Sequence, residues 1–308
     1  MEARRGAQPG LANLTFQGVC YGKLFQQLQA ELPSGRRIGL TGPNGSGKTT
    51  LLRLLAGWIP WQAGQLSVGS RDQLALPPEK RQLTLLPSQP SLFSHWTVRQ
   101  NILFPARSLG HVDASQDLIE QLQLQELCER KAGQLSQGER QRVAWARILN
   151  RPACWLLADE ALVHLDGPQR HKLWQILNQR SLLLVTHQLQ QDLPWLDQLW
   201  VLENGRLRCL DLDQLEKNPS SAWLAGQLQP ENVWPGQLLG WKPGHWWVPP
   251  GAWRDTPDGM PTRWLEQRGD SWKVEVAGRL FWLVRQQAGQ NLQPDPSLSA
   301  FLEGASSC

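Results

Sequence analysis

Short apolar runs recur along the chain, and each ends in a polar turn. They are Ile38–Leu40, Leu83–Leu86, Trp155–Ala158 and Leu182–Thr186. Runs of this length bounded by turn residues predict buried strands. Helical patterns lie between them, as in Leu51, Leu52, Leu54 and Leu55 after the first. This alternation predicts an α/β domain with its ligand groups at the carboxyl ends of the strands. Leu199–Leu202 and Leu207–Leu210 flank Asn204-Gly205, a pair that accepts positive φ and predicts a β-hairpin. Asp117 to Leu127 sets Leu118, Ile119, Leu122 and Leu127 on one helical face. It is read as part of a helical insert over about 97–135.

The pattern changes beyond Leu210. A stretch rich in Pro, Ser and Gln predicts a linker over 216–235, and nine of the 17 tryptophans lie after position 215. Trp272, Val274 and Val276 alternate with Lys273 and Glu275, Ala277-Gly278 offers a turn, and Leu280–Val284 supplies a second strand. A small β domain over 236–308 is expected. Residues 1–10 carry Arg4 and Arg5 with no apolar run behind them. They are expected to be a disordered start rather than a secretory signal.

Composition narrows the function classes. Apolar residues at 41% support a buried core. Thirty-one basic residues against 27 acidic give a formal charge of +4, too mild to point to a nucleic-acid partner. The cysteines, Cys20, Cys128, Cys154, Cys209 and Cys308, are scattered without a CxxC pair, which fits a reducing compartment. No run approaches the roughly 20 apolar residues that span a bilayer. If the chain works at a membrane, another polypeptide must hold it there.

Gly42-Pro43-Asn44-Gly45-Ser46-Gly47-Lys48-Thr49, followed by Thr50, matches the phosphate-loop pattern G-x-x-x-x-G-K-[ST]. The glycines let backbone N–H groups curl around phosphates without Cβ clashes. Lys48 brings a positive charge to the same oxygens, the Thr49 hydroxyl is suited to Mg²⁺, and the following helix points its positive end at the anion. ATP with Mg²⁺ is the expected ligand. A second apolar strand ends in Asp159-Glu160. An aspartate there can hold the metal's shell, and the next carboxylate can polarise the attacking water. Leu182–Thr186 delivers His187 to another strand end, as a candidate donor to the γ-phosphate. Leu135-Ser-Gln-Gly-Glu-Arg-Gln-Arg-Val143 contains an S-x-x-E capping box, Ser136 to Glu139, that opens a helix.

Taken in order, these segments resemble the ABC ATPases over about Leu14 to Leu210. Ser136 to Glu139 resembles the signature segment of that family. The resemblance implies a P-loop NTPase fold in which Ser136, Gln137 and Gly138 meet the nucleotide held by a second copy of the chain, so that a homodimer closes on two ATP. It also implies a glutamine loop at Gln89, which senses Mg²⁺ and contacts the membrane subunit, and a D-loop ending at Asp166. Tyr21 would stack on adenine, with Phe16 or Phe25 as alternatives. Gln137, Glu139, Ala161, Val163-His164 and Ser88 depart from the family pattern. None of these changes removes a phosphate or metal ligand, but they touch the implied dimer contacts.

Leu76-Pro-Pro-Glu-Lys-Arg81 and Leu92 to Ile102 resemble importer subunits for thiamine, molybdate, ferric iron, sulfate or polyamines. That group implies separate permease subunits, an extracytoplasmic substrate-binding protein and a site on the cytoplasmic face of the inner membrane. It also implies a C-terminal OB-like domain of the TOBE kind, entered here at Leu239 to Val248. Two other readings compete. One is an ABC ATPase acting on ribosomes or DNA, and the other is a nucleotide-gated module with little hydrolysis.

Overall fold

The structure is a computed structural model that describes residues 11–107, 113–210, Leu212, Leu224 and the strand residues named below. The chain divides into two compact units, Met1–Leu210 and Asp211–Cys308.

The first unit begins with Leu14–Tyr21 (β1), Phe25–Leu32 (β2) and Arg37–Thr41 (β3), followed by the helix Lys48–Ala56 (α1). Ala63–Val68 (β4), Arg71–Asp72 (β5) and Leu83–Leu86 (β6) precede two helices, Val98–Arg107 (α2) and Asp113–Gln121 (α3). Then come Gln137–Leu149 (α4), Trp155–Asp159 (β7), Gly167–Ile176 (α5), Leu182–Val185 (β8), the short Leu189–Asp192 (α6), Gln198–Glu203 (β9) and Arg206–Leu210 (β10).

Two sheets and α1 contribute to one hydrophobic core. The larger has the order β10-β9-β3-β8-β7-β6. It is parallel from β9 to β6, with β10 folding back antiparallel on β9. Each expected strand is present, and β6, β7 and β8 are buried along their whole length, as strands covered on both faces must be. Asn204 and Gly205 take φ of 50° and 69°, the left-handed values that a tight hairpin turn needs.

The smaller sheet, β2-β1-β4-β5, is absent from the sequence reading, for a local reason. Gln27 takes φ 59°, and the β1–β2 register shifts between Phe16 and Val19 and again between Val19 and Tyr21. The buried positions of β2 become Phe25, Leu28 and Leu32. That three-then-four spacing imitates a helix instead of the period of two that marks a strand.

Helix α1 buries Leu51, Leu52, Leu54 and Leu55 completely. Its carboxyl end is closed by Gly57 at φ 78° and by Arg81, whose guanidinium donates to Leu54 O (3.1 Å), Leu55 O (2.9 Å) and Leu76 O (3.1 Å). Such bonds satisfy the orphan carbonyls of a helix end. The helical segment expected over Asp117–Leu127 is corrected. It begins at Asp113, ends at Gln121 and breaks at Gln123, φ 52°, before a single 3₁₀ turn over Gln125–Leu127. Ile119, Leu122 and Leu127 are buried as the pattern required.

Apart from Leu212 and Leu224, which are helical, the described part of the second unit is strand: Val233–Pro235 (β11), His245–Trp247 (β12), Trp253–Arg268 (β13), Ser271–Val276 (β14), Arg279–Val284 (β15), Asn291–Pro294 (β16) and Ala300–Leu302 (β17). They form two antiparallel sheets, β11-β12-β17 and β15-β14-β13-β16. The expected hairpin is β14–β15, with Val276 opposite Arg279. Residues 1–10 and most of the 216–235 linker lie outside the described residues, though β11 starts inside that linker range. Among the described residues, no helix is long and apolar enough to cross a membrane.

Candidate nucleotide site

The parallel sheet delivers its strand ends to one edge. Strand β3 runs into residues 42–47, and α1 starts at Lys48 with Gly47 as its cap at φ 100°. Glycine is required twice here. A Cβ on Gly42, which sits at φ 148°, would lie 2.1 Å from Leu202 O, and one on Gly47 would lie 2.7 Å from Phe25 Cζ. The loop therefore lies pressed between β9 and the start of β2, with its N–H groups at a helix amino end, an anion-binding arrangement. Ser46 N donates to Pro43 O at 3.2 Å. Asn44 and Gly45 are exposed, and Thr50 is half-buried.

Lys48 is 6% exposed, and its Nζ donates to Gly42 O (2.7 Å) and Pro43 O (2.9 Å). Burial lowers its pKa, against the opposing pull of Glu160 and Asp159. Those two carboxylates stand at the end of β7. Asp159 is 5% exposed and its Oδ1 has no hydrogen-bond partner. Burial raises its pKa, partly offset by a hydrogen bond with the Thr49 side chain. Glu160 takes the left-handed φ of 50°, and its N–H donates to Val185 O on the neighbouring strand (3.0 Å). That turn sets its carboxylate 3.2 Å from His187 Nε2. The ring belongs to the residue pair just after β8, so adjacent strands bring the two groups together. Lys48, Thr49, Asp159, Glu160 and His187 thus form one cluster.

Gln89 is exposed, three residues beyond Leu86, whose strand partner is Ala158 next to Asp159. Of the three aromatic candidates upstream, Phe16 and Phe25 are buried in the core, whereas Tyr21 is only partly buried. The signature residues go elsewhere. Ser136 caps α4: its Oγ accepts from Glu139 N (3.3 Å), and Glu139 accepts from Ser136 N (2.7 Å). That bonding holds the Glu139 carboxyl below its usual value. Gln137 Nε2 lies 2.7 Å from His164 Nε2, and Gly138 packs against His164 O. None of the described hydrogen bonds joins residues 136–138 to the phosphate loop of the same chain. Asp166 is exposed and caps α5 through Gln169 N (2.8 Å).

Sequence reasoning missed a buried network behind His187. Arg170 pairs with the fully buried Asp192 at 3.0 Å, and Asp192 accepts from the Thr186 hydroxyl at 2.6 Å. Thr186 Oγ1 in turn accepts from Gln188 N at 2.9 Å. Both residues flanking His187 are thereby tied to α5.

A glycine-lined loop between a buried strand and a helix, beside an acidic strand end, defines a P-loop nucleotide-binding domain. Comparison with known proteins takes the assignment further. The family model described as "ABC transporter" matches residues 25–163. The sulfate/thiosulfate import ATP-binding protein of Synechocystis sp. is 32% identical over 223 residues, 68% of this chain and 63% of that protein. The thiamine import ATP-binding protein of Photorhabdus laumondii is 33% identical over 208 residues, 64% of this chain and 87% of that protein. Among solved structures, a bacterial Atm1-family ABC exporter with ATP bound has a TM-score of 0.59 at 25% identity, covering 67% of this chain and 40% of that one. A dimeric bacterial ABC transporter cassette has a TM-score of 0.58 at 20% identity, covering 65% and 98%. The chain belongs to the family of ABC transporter ATP-binding proteins.

Proposed function

We propose that the chain is the ATP-hydrolysing subunit that energises an ABC importer. The observation that carries this reading is the cluster at one sheet edge: a phosphate cradle with buried Lys48, buried Asp159, and Glu160 paired with His187. The relatives named for sulfate/thiosulfate and thiamine import favour an importer over a ribosome- or DNA-directed ATPase.

Residues 42–50 hold the phosphates through backbone N–H groups and Lys48, and Tyr21 takes the adenine face. The donor set fits a divalent cation. Asp159 Oδ1 is buried without a partner, and the Thr49 side chain already hydrogen-bonds the same carboxylate. Hard oxygens of this kind suit Mg²⁺. Thr49, Asp159 and Gln89 would hold it, and when bound it supplies charge neutralisation at the β- and γ-phosphates. Glu160 takes the proton of the attacking water. The new bond forms at the γ-phosphorus, the bond to the bridging oxygen breaks, and ADP and inorganic phosphate leave. His187 fixes the orientation of the carboxylate that it contacts.

Ser136, Gln137 and Asp166 are exposed, and residues 136–138 are engaged with His164 and Glu139 instead of their own phosphate loop. This supports a split site in which each copy of a homodimer presents its α4 amino end to the other's nucleotide. The permease is assigned to a groove of about 660 Å³ lined by Trp58, Pro87, Leu92, Phe104, Arg147 and Ile148. Trp58 and Phe104 are 50% and 44% exposed there, a patch of the kind that marks a partner site. Through that permease the chain sits at the cytoplasmic face of the inner membrane, with a substrate-binding protein on the far side. Residues 236–308 serve as an accessory OB-like β domain of the TOBE kind, outside the chemistry.

The test is Mg²⁺-dependent phosphate release by the purified chain. Wild type should hydrolyse ATP, and Lys48→Ala should lose nucleotide binding. Binding without turnover by the wild type would favour the gated-module reading instead.

A further inference from the structure

Glu160 sits in a backbone conformation that it does not choose for itself. Its φ of 50° is strained for a non-glycine residue, so the segment that follows must hold it there. That segment is fastened to a single face of α4. Gln141 Nε2 and Trp145 Nε1 both donate to Ala161 O at 2.9 Å, and both bonds are buried. Gln137 Nε2 reaches His164 Nε2 at 2.7 Å on the surface. Positions 137, 141 and 145 are spaced by four and so lie one above another on the helix. Gly138 completes the seam: a Cβ there would stand 2.9 Å from His164 O, so only glycine lets the loop backbone lie this close.

We propose that Gln137 and His164 form a clasp that holds Glu160 in its working orientation, making both of them positioning residues for ATP hydrolysis. The inner bonds to Ala161 O set the base of the loop. The clasp sets its outer end, at the residues just before the Asp166 cap. These are two of the positions at which the chain departs from the family pattern, and the two departures contact each other. A tie between the amino end of α4 and the loop after Glu160 makes the signature segment and the water-activating carboxylate move as one body within a subunit.

The inference rests on Glu160 as the base, so Glu160→Gln is measured beside the clasp variants. Gln137→Ala and His164→Ala are each expected to lower kcat for Mg·ATP about three- to tenfold, the kinetic equivalent of one modest hydrogen bond. Melting temperature should hold, because the contact is exposed, and KM should hold for His164→Ala, which stands outside the nucleotide contacts assigned to Gln137. The double variant should fall no further than either single one, and the exchanged pair Gln137→His with His164→Gln should recover most of the loss. Clasp variants at wild-type kcat beside an inactive Glu160→Gln would overturn the proposal. So would single effects that multiply in the double variant, losses that appear in melting temperature, or in the KM of His164→Ala, instead of kcat, or an exchanged pair that recovers nothing. Wild-type turnover by Glu160→Gln would sink the assignment of the base itself, whatever the clasp variants do.

Discussion

At the scale of single residues, the site is organised around charges that the fold makes costly. Asp159 is buried with one oxygen unpartnered, and burial raises its pKa. The folded chain therefore holds this proton more tightly than the unfolded chain does. The resulting penalty on stability is absent below the ordinary carboxylate pKa. It grows as pH rises and is complete above the raised folded value. Asp159→Asn removes the charge, keeps the shape and abolishes that pH dependence. Without nucleotide, its melting temperature at neutral pH should exceed that of wild type. Mg²⁺ should no longer strengthen its ATP binding. Thermal unfolding with and without Mg·ATP checks both, and a lower melting temperature in the nucleotide-free variant would show that the ionised carboxylate is stabilised there.

Much of the site was legible at this scale because its chemistry is local in sequence. The phosphate loop, the acidic pair and the S-x-x-E cap are contiguous stretches whose spacing fixes their geometry. The contact of Glu160 with His187 was not legible. It depends on β7 and β8 being neighbours, which no pattern along the chain states. Nor was the tie between Gln137 and His164, residues that look like unrelated substitutions until α4 is laid beside the loop.

At the scale of elements, the parallel strands announced themselves as unbroken apolar runs, whereas the antiparallel sheet was hidden by its bulges. The same scale gives Arg81 a purpose, since it closes α1, the helix that carries Lys48 and Thr49 at its other end. Arg81→Met should leave the Leu54 and Leu55 carbonyls without these bonds and destabilise the fold by about 1–3 kcal/mol. ATP affinity of the folded protein should change little, because the phosphate loop lies at the opposite end of the helix. Chemical denaturation and nucleotide titration separate the two effects. Unchanged stability would mean that water replaces the guanidinium at no cost.

At the scale of the whole molecule, every residue assigned to the nucleotide lies in the first compact unit, which ends at Leu210. A chain ending there should fold cooperatively and bind ATP with wild-type affinity. Failure to bind in a cooperatively folded truncation would place part of the site in the second unit. The change in tryptophan content that marked the boundary in the sequence is compositional. It marks a change near the end of the first unit and says nothing of the two sheets into which the described strands beyond it fall.

The central claim is that Glu160, held at the end of β7 against His187, activates the water that cleaves ATP. Single-turnover hydrolysis by Glu160→Gln, measured beside its equilibrium affinity for Mg·ATP, tests this most directly. The account predicts that the variant binds ATP at least as tightly as wild type and releases phosphate at least about a hundredfold more slowly, the scale of a lost general base. It should accumulate as a dimer with nucleotide enclosed. Phosphate release at the wild-type rate would contradict it.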